Sequence, residues 1–354
     1  MTACERYAAD TLRDFCAGLL QAAGMPADKA ADVAHILVEA DLTGHDTHGL
    51  NLLPTYLEHI EAGHMATRGE PDVIAELPAA ATWDGKRLPG PWLVLRAARA
   101  AIERARVYGT GTITVRNSHH IACLSAYLRT ATDQGMVMLL YASAPAAATV
   151  APFGGRRGVF SPSPMAMGCP TDGDPILVDI STSITTNNLM VRLKKRGEQL
   201  QHDWLLDEDG NPTRDPARVL PPAQGTLLPL GGLEAGHKGY GLALMVEALT
   251  AGLSNHGRHQ PSAKFANTVF VQVLNPAAFG GAAGLREQMA RIAERCRETP
   301  PRPGVQRVRV PGEQGMARHR EQSAQGVRLA PGILGALQPW AARLAVPMPA
   351  ERGG

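Results

Sequence analysis

Two short segments bring histidines together with groups that could share chemistry with them. Asp41-Leu-Thr-Gly-His-Asp-Thr-His-Gly49 sets His45 and His48 beside Asp46 and Thr47 in a polar, glycine-bounded stretch. Imidazole and carboxylate are ligands for zinc or iron, so a metal-dependent hydrolase or lyase built on His45, Asp46, His48 and His120 is one reading. No HExxH pattern accompanies them, and Asp46 and Thr47 are equally suited to capping a helix end. The second segment is His119-His120, which follows the apolar run Thr112–Val115 across Arg116-Asn-Ser118. Polar turns at the C-terminal ends of strands are favoured places for site residues in α/β sheets, and histidine is the usual proton carrier near neutral pH. A plain surface turn is the alternative.

Two further features concern charge. Gly236-His-Lys-Gly-Tyr-Gly241 precedes an apolar stretch, Leu242 to Leu253. Its glycines would let backbone approach a phosphate, and a following helix N-terminus favours anions; a tight turn feeding a buried helix is the other reading. Asp179 stands inside the apolar run Ile176–Ile180, where an unpaired carboxylate costs several kcal/mol. It therefore needs a partner: Thr182, Ser183, a lysine or a ligand hydroxyl. Neither common phosphate-cradling loop is present. Gly109-Thr-Gly111 lacks the third glycine of GxGxxG, and Lys238 is followed by Gly239 and Tyr240 rather than Ser or Thr. A nucleotide site here must be built another way.

The elements that would position these groups show in the hydrophobic spacing. Leu12, Phe15, Leu19 and Leu20 fall on one helical face, as do Val33, Ile36, Leu37 and Ala40, then Leu53, Tyr56, Leu57 and Ile60 after Pro54. A helix over Leu93–Val107, strands at 112–115 and 136–141 with a helix (Leu124–Gln134) between them, and a strand at 176–180 suggest βαβ-like layers. A strand at 268–273, a polar helix at 285–299 and a last helix at 334–344 complete the pattern. The fold class is α/β, with a helical lobe at 1–72, joined by the C-terminal 300–354, and a catalytic lobe at 73–299.

Composition narrows the function. The chain is 44% hydrophobic and 19% charged, with 35 Lys and Arg against 33 Asp and Glu. That excludes intrinsic disorder and makes no electrostatic case for nucleic acid or an anionic membrane. The five cysteines, Cys4, Cys16, Cys123, Cys169 and Cys296, are scattered and form no CxxC pair. No apolar run reaches membrane-spanning length and no signal-peptide pattern opens the chain, so a cytoplasmic protein is expected.

Taken in order, GHDTHGL(x)LLPTY, VRNSHHIA, PFGG, LVDISTS, DWLLDEDGNPTRDP, PLGG(x)4HKGYGLAL and VPGE resemble the malate/L-lactate dehydrogenase family of the second type, whose relatives include sulfolactate dehydrogenase and Δ1-piperideine-2-carboxylate reductase. The resemblance spans about residues 5–345. It implies a non-Rossmann, sulfolactate dehydrogenase-like fold with a helical N-terminal lobe and a central mixed-sheet lobe that binds NAD(H) or NADP(H). It also implies a small-molecule substrate, a 2-oxo/2-hydroxy acid or a C=N compound, a homodimer, and no metal. His120 matches the family's acid/base histidine, and His48 the histidine beside nicotinamide and substrate, with Thr47 next to it. Ser143 matches a substrate-contacting serine. Val178, Asp179, Ile180, Lys238, Gly239, Pro311, Gly312 and Glu313 match cofactor-contacting positions.

The chain departs from that pattern at the substrate end. Leu52 stands where the family usually carries an arginine suited to gripping a carboxylate, a contact worth roughly 1.5–3 kcal/mol. Ser161-Pro-Ser-Pro164, Tyr141-Ala142 and Asn188-Leu189 also differ. The implied enzyme keeps its redox machinery and takes an atypical substrate; the alternatives are a cofactor-binding homologue with altered or lost redox activity and the metal-dependent hydrolase or lyase above. Arg156 and Arg157 are candidates for a 2′-phosphate contact, with a solvated basic turn as the simpler reading.

Overall fold

The structure is a computed structural model describing residues 5–260 and 265–352; Cys4 lies outside the described residues. Three helices open the chain: α1 (Ala9–Ala22), α2 (Ala27–Thr43) and α3 (Leu53–Glu61). The apolar faces read from the spacing are the buried ones; Leu12, Leu19, Leu20, Val33, Ile36, Leu37, Leu53, Tyr56 and Leu57 are all fully enclosed. Gly44 ends α2 in the left-handed conformation (φ 87°) that glycine adopts without steric cost.

A hairpin of β1 (Asp72–Leu77) and β2 (Ala80–Asp84) follows, then α4 (Gly90–Tyr108), β3 (Thr110–Ser118), α5 (Ser125–Thr132), β4 (Val137–Ser143), β5 (Met165–Cys169) and β6 (Ile176–Ile180). Beyond α6 (Asn187–Arg196), three two-residue strands form a small sheet: β7 (Leu205–Leu206), β8 (Pro212–Thr213) and β9 (Thr226–Leu227). The chain continues through α7 (Gly232–Glu247), β10 (Asn267–Leu274), α8 (Ala282–Glu298), α9 (Glu313–Gln325) and α10 (Ile333–Arg343).

The main sheet has seven strands in the order β1-β2-β3-β10-β4-β5-β6. The expected β3–α5–β4 unit is present, but its strands are not neighbours. β10 lies between them and pairs antiparallel with both, so β3 and β4 run parallel at one strand's remove. A strand from far along the chain takes the place that local βαβ pairing predicts for an immediate neighbour. β3 also extends through Ser118, so Arg116-Asn-Ser118 is strand and the turn begins at His119.

The apolar core is continuous from Leu12, Ile36 and Tyr56 through Leu93, Ile113 and Leu140 to Val271. It crosses residue 72 without a break. The C-terminal segment returns to the first helices: Val327, Ile333 and Leu337 join the same core, and Tyr7 exchanges backbone hydrogen bonds with Val327.

Candidate active site

His119 and His120 leave the end of β3 at the same edge of the sheet where β4 ends and β10 begins, since Asn267 lies opposite Ser118 and Thr268 opposite Ser143. The turn is held from several sides. His119 N–H donates to the Leu88 carbonyl, Ser118 Oγ donates to the His119 carbonyl at 2.8 Å, and the start of α4 packs so closely that a Cβ on Gly90 would overlap the His119 and His120 carbonyls. Asn117 (φ 51°) and Ala122 (φ 57°) bracket the turn in the left-handed region. Such strain in non-glycine residues persists only where the surroundings impose it.

The other half of the site comes from the segment after α2. Asp46–His48 and Leu50–Leu52 form two successive 3-10 turns that run directly into α3. Gly49, at ψ −142°, separates the two turns, and Leu52, Tyr56 and His59 follow at helical spacing after it. The His48 ring lies 6.1 Å from that of His120, nearly parallel to it. Tyr56 Oη is 3.0 Å from His120 Nδ1 and donates to the His120 carbonyl at 3.2 Å. His59 Nδ1 meets His119 Nε2 at 2.8 Å, and Phe265 closes over the group, 4.6 Å from the His59 ring and 6.2 Å from that of His120. Thr47 Oγ1 bonds His48 Nδ1 at 2.8 Å. The expected helix cap by Asp46 and Thr47 is absent; these residues serve the 3-10 turn instead.

Burial disfavours charge throughout. It pushes the His120 imidazole down to about 3, helped by His48 and His59, and His119 down to about 2, helped by His120 and His59. His48 is lowered chiefly by burial, opposed by the carboxylate of Asp179. Both His48 and His120 are therefore neutral imidazoles at pH 7.

Asp179 links this group to a cleft of about 410 Å³. Thr43, His45, Ser125, Arg129, Leu177, Val178, Asp179, Ile180, Arg309, Pro311, Gly312 and Gln314 are among the residues that line it. The partner of Asp179 is none of the residues foreseen. Its Oδ2 accepts the Ser125 N–H at the start of α5 (2.8 Å) and lies 3.6 Å from Cys123 Sγ. Gly312, at φ 97°, leaves backbone where a Cβ would press on Leu177 N at 2.9 Å. The amides opening α9 beside it carry the positive end of that helix. Polar backbone, a glycine cradle and two arginines suit the phosphates and ribose of a dinucleotide.

The expected cofactor set is divided. Val178, Asp179, Ile180, Pro311 and Gly312 share this cleft, whereas the Glu313 carboxylate turns away to Arg297. Lys238 and Gly239 are not among its walls. The glycine block does not precede a helix but lies within α7, which begins at Gly232; Gly239 lies against the Leu230 backbone and Lys238 is exposed. Ser143 is 1% exposed, its hydroxyl bonded to Thr268 of β10 (2.8 Å) and to Thr250 in the helical turn after α7 (3.1 Å). Among the described residues Arg156 reaches backbone carbonyls of Glu208 and Asp209. Among the described residues no three His, Cys, Asp or Glu are grouped to hold a metal ion. Tyr56, His59 and Phe265 joined the site without being expected there.

Known proteins resemble this chain over nearly its whole length. Residues 7–338 match the malate/L-lactate dehydrogenase family. L-lactate dehydrogenase of Cupriavidus necator is 33% identical over 344 residues, covering 95% of this chain and 97% of that protein. Malate dehydrogenase of Entamoeba histolytica superposes with a TM-score of 0.92 at 27% identity, covering 98% of this chain and 99% of that one. Δ1-Piperideine-2-carboxylate reductase of Pseudomonas syringae pvar. tomato superposes with a TM-score of 0.82 at 26% identity, covering 95% and 100%. The chain belongs to the malate/L-lactate dehydrogenase family and is an oxidoreductase of that family.

Proposed function

We propose that this oxidoreductase uses NAD(H) or NADP(H) to interconvert a carbon bearing C=O or C=N with its CH–OH or CH–NH form, with His120 moving the proton. One observation carries the reading: an imidazole that is neutral at pH 7 has one nitrogen engaged by the Tyr56 hydroxyl and stands beside His48, next to a cleft suited to a dinucleotide. The cofactor, when bound, gives or takes the hydride. Val178, Asp179, Ile180, Pro311 and Gly312 would hold it.

Nδ1 of His120 is occupied on the protein side, since the Ala122 N–H donates to it at 3.3 Å and the Tyr56 hydroxyl, which also reaches the His120 carbonyl, lies 3.0 Å from it; Nε2 is the nitrogen left to exchange a proton with the substrate hydroxyl or amine. Proton transfer of this kind typically contributes ~10²–10⁴-fold. His48, oriented by Thr47, lies across from His120 and positions the substrate, and Leu52 forms the wall between His48 and Tyr56. Ser143 supports the site through the β4–β10 pairing.

The test is His120→Ala. Turnover should disappear while NADH and NADPH affinities, followed by cofactor fluorescence, stay within a few-fold; undiminished turnover would remove His120 from this role. A homodimer is part of the proposal, supported by the solvent-facing Leu233, Leu244 and Met245 of α7, and sedimentation measures it. No described helix is long and apolar enough to cross a membrane.

A further inference from the structure

Ser125, Arg129 and Asp133 recur at intervals of four along α5 and its C-terminal cap, so their side chains stand in one row. Ser125 begins that row at the cleft, where its N–H holds Asp179. Arg129, one turn further, lines the same cleft with its side chain 34% exposed. Its guanidinium is spanned between two carboxylates. Nε and Nη2 donate to Asp133 (3.4 and 3.1 Å), while Nη1 faces Glu39 of α2 at 3.7 Å.

The two acids differ in kind. The Asp133 side chain is 52% exposed, whereas that of Glu39 is 8% exposed in the cleft wall and fixed by further contacts. Glu39 Oε1 accepts from His319 Nε2 of α9 at 3.0 Å, and Oε2 lies 4.0 Å from Arg13 Nη2 of α1. α9 is itself strapped to α2, since Gln322 Nε2 donates to the Asp41 and Leu42 carbonyls (2.9 and 3.0 Å). Burial alone would raise the Glu39 carboxyl, but the bond and charge of His319, with His35 and Arg129, outweigh it and hold the group below the usual carboxylate range. It is therefore ionised at pH 7. A buried ion pair adds little net stability, because desolvation offsets its attraction; what it can still do is fix one geometry. Here the fixed geometry is that of a guanidinium beside a cleft suited to phosphates.

We propose that Glu39 is a positioning residue for the cofactor: its carboxylate draws Arg129 inward from Asp133 and aims the guanidinium at a phosphate of the dinucleotide. The proposal rests on the nicotinamide-dependent reading above and deepens it at the phosphate end of the cleft. Without the Glu39 charge, Arg129 collapses onto Asp133, its i, i+4 neighbour, and leaves the cleft. A guanidinium suits the task because its five donors lie in a rigid plane. It can face Glu39 through one nitrogen, hold Asp133 through two others and still offer N–H to a phosphate, which the point charge of a lysine on its flexible stem does not reproduce.

Fluorescence titration of the purified full chain with NADH and NADPH tests this as a double-mutant cycle. Glu39→Gln keeps the length of the side chain and an acceptor for His319 while removing the charge, and should raise Kd for the better-bound cofactor at least threefold. Arg129→Gln should raise it at least fivefold. Adding Glu39→Gln to Arg129→Gln should then change Kd less than twofold, because nothing is left for Glu39 to aim. A Glu39→Gln loss that persists in full in the Arg129→Gln background, or the absence of a loss in either single variant, overturns the proposal. Arg129→Lys tests it without touching the buried acid: affinity should fall at least threefold, and wild-type affinity would overturn the proposal by showing that charge without aim suffices. Failure of the wild type to bind either cofactor would instead defeat the underlying reading.

Discussion

Replacing Asp41 by asparagine should abolish a large pH dependence of stability. The Asp41 side chain is 4% exposed, directly beneath the His48 loop. Its Oδ2 accepts the Leu50 N–H at 2.8 Å, and a Cβ on Gly49 would overlap its carboxylate. Burial, with the nearby charge of Asp46, raises this carboxyl from 3.8 to about 7, while the Leu50 N–H pulls the other way. Between those two values the native state holds a proton that the unfolded chain has released. Stability is therefore fully present below pH ~4 and is lost as pH rises through about 7. At about 1.4 kcal/mol per pH unit, the loss is about 4 kcal/mol. The amide of the Asp41→Asn variant would keep an oxygen for the Leu50 N–H but has no proton to lose. Urea unfolding of both proteins from pH 4 to 8.5 measures the difference, and subtracting one curve from the other cancels the histidines common to both. The variant should gain on the wild type by about 4 kcal/mol across that range. A difference that stays constant with pH would refute the reasoning, because it would mean that Asp41 ionises as freely in the folded protein as in the unfolded one.

Three further outcomes follow from the site. Tyr56→Phe removes the group bonded to His120 Nδ1; kcat should fall about tenfold or more, with cofactor affinity unchanged by fluorescence titration. Ser143→Ala strips the hydroxyl shared by Thr250 and Thr268; denaturant unfolding should show a loss of about 1–3 kcal/mol while KM for the substrate barely moves. A large KM change with little loss of stability would return Ser143 to substrate contact. Gly312→Ala places a Cβ on Leu177 N in a left-handed backbone, which costs about 1–2 kcal/mol. The displaced turn should weaken NADH or NADPH binding several-fold, measured by the same titration.

The first three helices and their packing faces were readable because each has one wet side and one dry side, and 3.6-residue spacing reports that division directly. The turn that carries His120 was readable because a polar segment after an apolar run stands out locally. Other features depend on partners far away in sequence. β10 displaces the expected β3–β4 adjacency, and the Asp179 carboxylate finds its N–H donor 54 residues upstream at Ser125. In α7 the glycines misled for a physical reason. They weaken a helix in isolation, by about 1 kcal/mol each relative to alanine, yet Gly236 and Gly239 allow α7 to lie against Phe153, Pro229 and the Leu230 backbone, where a Cβ would not fit. Tyr56 was readable as a buried position on its helix, but periodicity alone does not show whether a phenol's polar tip ends in the core or at a reacting centre.

The place of β10 has a consequence for how the protein is made. A nascent chain completes β3 and β4 long before the strand that belongs between them: Ser143 emerges 125 residues ahead of its partner Thr268. Throughout that interval the inner edges of both strands are open to each other or to a neighbouring polypeptide, and such edges template wrong pairing. Synthesis on the ribosome therefore passes through a stage at which premature closure of the sheet competes with waiting, and cells that overproduce this protein should need chaperones most between translation of Ser143 and of Leu274.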